Sequence, residues 1–215
     1  MFTGIIEHLG TISRFETTSS DGKLIVHAPS LARQLAVSAS IAVNGCCLTV
    51  VHHDNENFSA DLSSETLAKT SFASFEAGVR VNLEQPLTAG KEFGGHFVLG
   101  HVDGTARVVH LNPEGDSWRY GVEIPPDLAR YVVSKGSITI DGISLTVARW
   151  QDRIAEIAVI PYTYEHTNIR DRVPGDRVNL EADILGKYIE RYLGQREWSI
   201  DSRHLGVDDL IRQGF

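Results

Sequence analysis

Hydrophobic and polar positions alternate along most of this chain, in short runs cut by turn signals. Ser40–Asn44 alternates and stops at Asn44-Gly45, a dipeptide that favours a two-residue hairpin. The runs Cys47–His52, Asn57–Leu62 and Arg80–Glu84 follow, apolar or β-branched at every second place. Six more such runs come later: Thr105–Leu111, Trp118–Ile124, Ser137–Ile140, Leu145–Trp150, Ile154–Ile160 and Arg177–Glu181. Short helices are predicted between them. Pro29–Ala36 and Pro125–Val133 both begin with proline, whose missing N–H costs nothing in a first turn. Ser64–Thr70 and Tyr162–Thr167 are a second pair.

The pattern occurs twice. Residue n set against residue n+97 places Ile41–Val51 on Ile138–Ala148 and Gly78–Glu84 on Gly175–Glu181, the latter with six identities in seven. Ser64–Thr70 falls on Pro161–Thr167, and an offset of 96 brings Thr3–Glu7 onto Leu99–Asp103. Four blocks in one order make an internal duplication. About six strands in each unit of under 100 residues suggest a small closed barrel, which leaves no sheet edge exposed. The stretch 93–105, rich in glycine, ends the first unit and begins the second. After Glu181 the period changes. Ile184, Leu185, Tyr188, Ile189, Tyr192 and Leu193 lie on one helical face, and this helix has no counterpart after the first repeat. Packing against another subunit is the expected use of that face. A terminal helix around 207–212 is a further expectation.

Composition narrows the function classes. With 42% apolar and 22% charged residues the chain reads as globular. A net charge of -8 argues against nucleic acid, which needs clustered Lys and Arg. No apolar run is long enough to span a bilayer, so no membrane partner is expected. Met1-Phe2-Thr3 opens without a basic segment or cleavage site, so no secretory signal is expected. Cys46 and Cys47 are adjacent and make no disulfide framework, and a reduced cytoplasmic location is the expectation.

Chemistry-bearing residues differ between the repeats where the frame does not. Gly45 matches Gly142 and Thr49 matches Thr146, but Cys47 faces Ser144, Ile5 faces His101 and Pro86 faces Asp183. Cys47, beside a tight turn, reads as a nucleophile or as a small buried hydrophobe. Ser144 reads as a participant or a strand-end hydrogen bonder. His101 reads as a general base or a structural histidine. His96, His101 and Asp103 invite a metal, but positions 96 and 101 on a strand point to opposite faces and no second cluster joins them. No metal is expected. The glycines match neither a phosphate loop nor a dinucleotide fingerprint, and no nucleophile elbow is present.

Met1–Glu7, Asn44–Thr49, Gly94–Gly104 and Asp141–Thr146 together resemble the α-chain type of riboflavin synthase, from Met1 to about Leu193. That resemblance implies a mainly β fold of two tandem six-stranded Greek-key barrels with a C-terminal helix. Its parts would be a lumazine-binding barrel over 1–97, a second over 98–183, an oligomerisation helix over 184–194 and a tail over 195–215. It implies a homotrimer and no cofactor, and leaves association with lumazine synthase open. It also implies the dismutation of two 6,7-dimethyl-8-ribityllumazine molecules to riboflavin and 5-amino-6-ribitylaminouracil. Carried over by position, one pocket gathers Gly4, Ile5, Ile6, Cys47, Leu48 and Thr49 with Asp61, Leu62, Ser63, Ser64, Glu65 and Thr66. The other gathers Gly100, His101, Val102, Ser144, Leu145 and Thr146 with Ala158, Val159, Ile160, Pro161, Tyr162 and Thr163. Lys135 is expected to reach a neighbouring subunit's ligand. The expected catalytic set is His101 with Ser144 and Thr146, Cys47 in the partner site, and Asp183 with Phe2 completing the walls. His96 is left as a linker residue with a structural role. Leu99 and Tyr164 stand where the family often has glutamine and leucine.

A non-catalytic lumazine or flavin carrier of the antenna kind is the main rival, since it needs one competent pocket. Polar residues kept in both pockets and the extra helix favour the enzyme. A flavin-reductase-like enzyme needs a nicotinamide domain for which the chain has no room. A purely structural double barrel would not need the off-repeat Cys47 and His101.

Overall fold

The structure is a computed structural model describing residues 1–17 and 21–194. The terminal helix expected around 207–212 lies outside them. Twelve strands close into two barrels of six. The first comprises β1 (His8–Thr17), β2 (Gly22–His27), β3 (Ser40–Val43), β4 (Cys46–His53), β5 (Asn57–Leu62) and β6 (Arg80–Glu84). The second comprises β7 (Gly104–Glu114), β8 (Ser117–Glu123), β9 (Ser137–Ile140), β10 (Ile143–Gln151), β11 (Ile154–Val159) and β12 (Arg177–Ala182). Both are antiparallel with one cyclic order, β1-β2-β5-β4-β3-β6 and β7-β8-β11-β10-β9-β12. Bulges fall at matching places, between Val50 and His52 and between Val147 and Arg149.

Each barrel has its own apolar core. Leu24, Val26, Ile41, Val43, Phe58 and Phe72 are sealed in the first, and Tyr120, Val122, Ile124, Ile138, Ile140 and Ile169 in the second. Burying each such side chain stabilises by about 1.5–3 kcal/mol. Inward residues alternate with outward ones, so Cys46, Leu48 and Val50 are buried while Thr49 and Val51 are exposed.

The predicted helices shorten. α1 covers Pro29–Ala32 rather than reaching Ala36, and Gln34 and Leu35 then bond three residues back, as in tight turns. Over 125–133 only Ala129–Tyr131 forms a 3₁₀ turn. Pro126 biases Pro125 away from the α region, so a regular helix cannot start there. α2 (Ser64–Lys69) and α3 (Pro161–His166) hold the second slot, and α4 (Ile184–Gly194) the C-terminal one.

The two barrels meet hairpin to hairpin. Asn44-Gly45 joins β3 to β4 and Asp141-Gly142 joins β9 to β10, all four residues at positive φ (43°, 75°, 46° and 82°). Around them a buried polar network repeats across a pseudo-two-fold axis. Asn82 donates to the Asp141 carbonyl at 2.9 Å and Asn179 to the Asn44 carbonyl at 2.9 Å. The side-chain oxygens of Asn82 and Asn179 accept the backbone N–H of Asn168 and Ser71. The halves differ in two places: Asn168 stands where the first repeat has Ser71, and Asp141 takes a 2.6 Å ion pair from Arg172, where the first repeat has Asn44 and Phe75.

Candidate functional site

Two segments outside the barrels decide where the pockets are. Met1–Glu7 precedes β1 and Leu99–Asp103 precedes β7. The first crosses to the second barrel: the Ser144 N–H donates to the Gly4 carbonyl at 2.8 Å, and Ile6 packs on the second core. The second crosses to the first barrel: the Cys47 N–H donates to the Gly100 carbonyl at 2.9 Å, and Val102 packs on the first core. A Cβ on Gly4 would sit 2.6 Å from the Ser144 Cβ, and one on Gly100 2.6 Å from the Cys47 Cβ. Only glycine permits both approaches, and both residues stand at positive φ.

The grouping expected from position is therefore corrected. Gly4, Ile5 and Ile6 belong with Ser144, not with Cys47. Gly100, His101 and Val102 belong with Cys47, not with Ser144. The repeats align these segments correctly but do not reveal which barrel each covers. It follows that His101 does not share a pocket with Ser144 and Thr146 of its own chain.

The pocket on the first barrel is a cavity of about 280 Å³ lined by Cys46, Cys47, Ser63, Glu65, Thr66, Lys69, Thr70, Gly100, His101 and Val102. It lies on the outside of the barrel. Cys47 and Thr49 present the outward face of β4, Asp61 is the last outward residue of β5, and Ser63 and Ser64 open α2. The Ser63 hydroxyl caps that helix by accepting the Thr66 N–H at 3.2 Å. Leu48 and Leu62 point into the core, so they can offer a ligand only backbone. The second barrel repeats the arrangement with Ser144 and Thr146 on β10, Ala158 on β11, and Ile160, Pro161, Tyr162 and Thr163 around the start of α3. Leu145 and Val159 are its buried counterparts. Beside it Trp118 stacks on Tyr164 with ring centroids 3.7 Å apart, where the first repeat has Gly22 and Leu67.

His96 has more than a linker's role. It is buried, its Nδ1 lies 2.8 Å from the Ser144 Oγ, and its Nε2 lies 3.0 Å from the Thr139 Oγ1. Burial holds the imidazole pKa below its ordinary value, with Asp183 acting the other way. The neutral ring can accept one of these hydrogen bonds and donate the other. It reaches Ser144 because Phe2 and Val98 exchange backbone hydrogen bonds and the His96 N–H donates to the Thr3 carbonyl. Among the described residues no histidine is hydrogen-bonded to Cys47 in the same way. Cys46 is inert by comparison, its thiol pushed up to about 12 by burial. Asp183 accepts the Leu185 N–H and lines a groove of about 680 Å³ beside α4 with Tyr131, Val133, Ile189 and Leu193. Lys135 is exposed at φ 68° in the turn before β9. Among the described residues no group of three or more His, Cys, Asp or Glu gathers to hold a metal.

Two carboxylates missed as site residues stand behind the pockets. Glu84 on β6 accepts from Thr3 N (2.6 Å), Thr3 Oγ1 (2.7 Å) and Gly4 N (3.0 Å). Glu181 on β12 accepts from Leu99 N (2.7 Å) and Gly100 N (3.0 Å). Burial raises both pKa values, Glu181 to about 7 from an ordinary 4.5. The folded value exceeds the unfolded one, so between these limits the folded chain holds a proton that the unfolded chain has released. Stability accordingly falls as pH rises through that window, by up to about 3 kcal/mol. Melting at pH 5 and pH 8 is expected to show a larger loss in the wild type than in Glu181→Gln; parallel curves would refute this.

The two barrels present equivalent outward faces, each completed by a segment from the other half. The lumazine binding domain model matches residues 3–86 and 99–183. Over all 215 residues and the whole of each relative, the chain is 40% identical to riboflavin synthase of Actinobacillus pleuropneumoniae and 39% identical to that of Bacillus subtilis (strain 168). Among solved structures it is similar to LumP complexed with 6,7-dimethyl-8-(1'-D-ribityl) lumazine, at 27% identity and TM-score 0.78, over 85% of this chain and 99% of that one. The chain belongs to the riboflavin synthase family.

Proposed function

We propose that this protein transfers a four-carbon unit between two molecules of 6,7-dimethyl-8-ribityllumazine, giving riboflavin and 5-amino-6-ribitylaminouracil. The observation that carries this reading is the pair of equivalent pockets with unequal side chains: Cys47 and His101 in one, Ser144, Thr146 and His96 in the other. The same compound can bind twice, and each copy can be treated differently. One lumazine loses a proton from its 7-methyl group, made acidic by conjugation with the ring. The resulting carbon attacks the other molecule, whose four-carbon unit closes the new ring while the remainder departs. What one molecule loses the other gains, so no oxidant, metal or cofactor is required. Much of the rate comes from holding two rings face to face.

In this reading His101 handles the proton of the lumazine in the Cys47 pocket. Ser144 and Thr146, with His96 behind, serve the partner lumazine, and Asp183 and Lys135 border that second site. Both pockets open outward, so the two rings meet by apposition of different subunits. α4 supports this: Leu185, Tyr188, Ile189, Tyr192 and Leu193 are all exposed on it. Its inner side is tied down by Lys187 to Asp103 and by Tyr131 and Arg130 to Glu190. A homotrimer is the proposed assembly, and two free cysteines suit a reducing cytoplasm.

The test mixes purified protein with 6,7-dimethyl-8-ribityllumazine alone and follows riboflavin absorbance. Conversion is expected, with His101→Gln slowed at least about tenfold, as for loss of a general acid–base group. Tight binding without conversion would mean a carrier. Wild-type turnover in both His101→Gln and Cys47→Ser would remove the role assignments.

A further inference from the structure

We infer that Glu84 and Glu181 are positioning residues that act crosswise, each holding from its own barrel the backbone segment that lines the other barrel's pocket. Glu84 closes β6 of the first barrel, yet it grips Thr3-Gly4, which lies on Ser144 of the second. Glu181 lies on β12 of the second barrel, yet it grips Leu99-Gly100, which lies on Cys47 of the first. The two grips match within 0.1 Å, 2.6 and 3.0 Å against 2.7 and 3.0 Å. Both carboxylates are buried, at 2% and 3% exposure. A buried carboxylate is costly, and two backbone N–H groups on one carboxylate fix a peptide's position and tilt. The inference rests on the two pockets being the lumazine sites.

The grips are unequal in one respect. Thr3 adds its hydroxyl to Glu84. Leu99 has none to give, so Glu181 is short of one donor. Its carboxyl titrates near neutrality, raised first by burial and then by Asp103, against the two N–H donors and Lys187 of α4. The Cys46 thiol of β4 also faces it. Once protonated, the carboxyl loses its charge and one of its oxygens becomes a hydroxyl, a weaker acceptor for its N–H. The Leu99-Gly100 segment is then held by one full hydrogen bond and one weakened one. The first pocket should therefore order as pH rises through about 7, while the second stays gripped.

Binding of ¹³C-labelled riboflavin is followed by NMR, with two bound signals expected, one from each pocket. Cys47→Ser identifies the signal of the first and Ser144→Ala that of the second. Glu181→Gln should weaken the Cys47 signal's site about tenfold and leave the other, and Glu84→Gln the reverse, as expected for one buried N–H losing its acceptor. Equal weakening of both, or weakening of the pocket on the variant's own barrel, overturns the inference. Leu99→Thr keeps the carboxylate and supplies the missing hydroxyl. It should move the acid limb of riboflavin binding in the first pocket below that of the wild type. An unmoved limb overturns the pH dependence. Riboflavin formation by the wild type is measured alongside; its failure would strike the proposed reaction and not the crosswise grip.

Discussion

Gly142→Ala is expected to lower the melting temperature by about 10 °C or more, a loss of about 4 kcal/mol for a chain of this size. The new Cβ would stand 2.6 Å from the Gly45 nitrogen and 2.9 Å from its Cα. Those atoms are backbone in a hairpin hydrogen-bonded on both sides, so no side chain can swing away. The barrel as a whole must shift, and the Asn82 and Asn179 bonds across the interface shift with it. Residue 142 also stands at φ +82°, which costs a non-glycine residue about 1–2 kcal/mol without any contact. Gly175→Ala separates the two terms. It stands at φ +101° with nothing within 4 Å of the added carbon, so it carries the conformational cost alone. Thermal melting of the two variants side by side is the measurement, and equal losses would show that the barrel contact contributes nothing.

Arg172→Leu is expected to cost about 3–5 kcal/mol, the usual result of leaving half of a buried ion pair. The Asp141 side chain is 2% exposed and that of Arg172 10%. Asp141 also accepts from Asn179 N at 2.8 Å and from Asn168, but without the guanidinium its charge lacks compensation. The first repeat shows the alternative. There Asn44 accepts the Asn82 N–H at 2.7 Å, and Phe75 occupies the place of Arg172 within the apolar core. Adding Asp141→Asn to Arg172→Leu should therefore recover most of the loss. Denaturant unfolding of the single and double variants gives the coupling, and additive losses would contradict a buried pair.

Much of the fold was legible because the duplication supplied a second reading of every strand. The hairpins at Asn44-Gly45 and Asp141-Gly142 follow directly from their dipeptides. β1 and β2 were not evident. In β1 the apolar residues Leu9, Ile12 and Phe15 come three apart, because the bulge between Ile12 and Arg14 breaks the two-residue alternation. The chemistry-bearing residues Cys47, His101 and Ser144 stood out as differences between repeats. Their partners did not, because crossing of the two segments is a matter of where the chain goes between barrels. Glu84 and Glu181 were visible as an identity in both repeats, yet a shared residue reads as frame until its hydrogen bonds are seen. His96 was passed over for the opposite reason: it has no repeat counterpart with which to be compared.

The crossing of Met1–Glu7 and Leu99–Asp103 gives the duplication a particular meaning. Neither pocket is the property of one barrel. Each is an edge shared by two, formed where an arm from one unit reaches across the pseudo-two-fold axis to its neighbour. What has been copied is therefore one interface seen from both ends, as in a symmetric pair of arm-exchanging subunits. Joining the units in one chain frees its two ends to differ. Ile5 can stand opposite His101, and Cys47 opposite Ser144, without any change to the scaffold that brings them there.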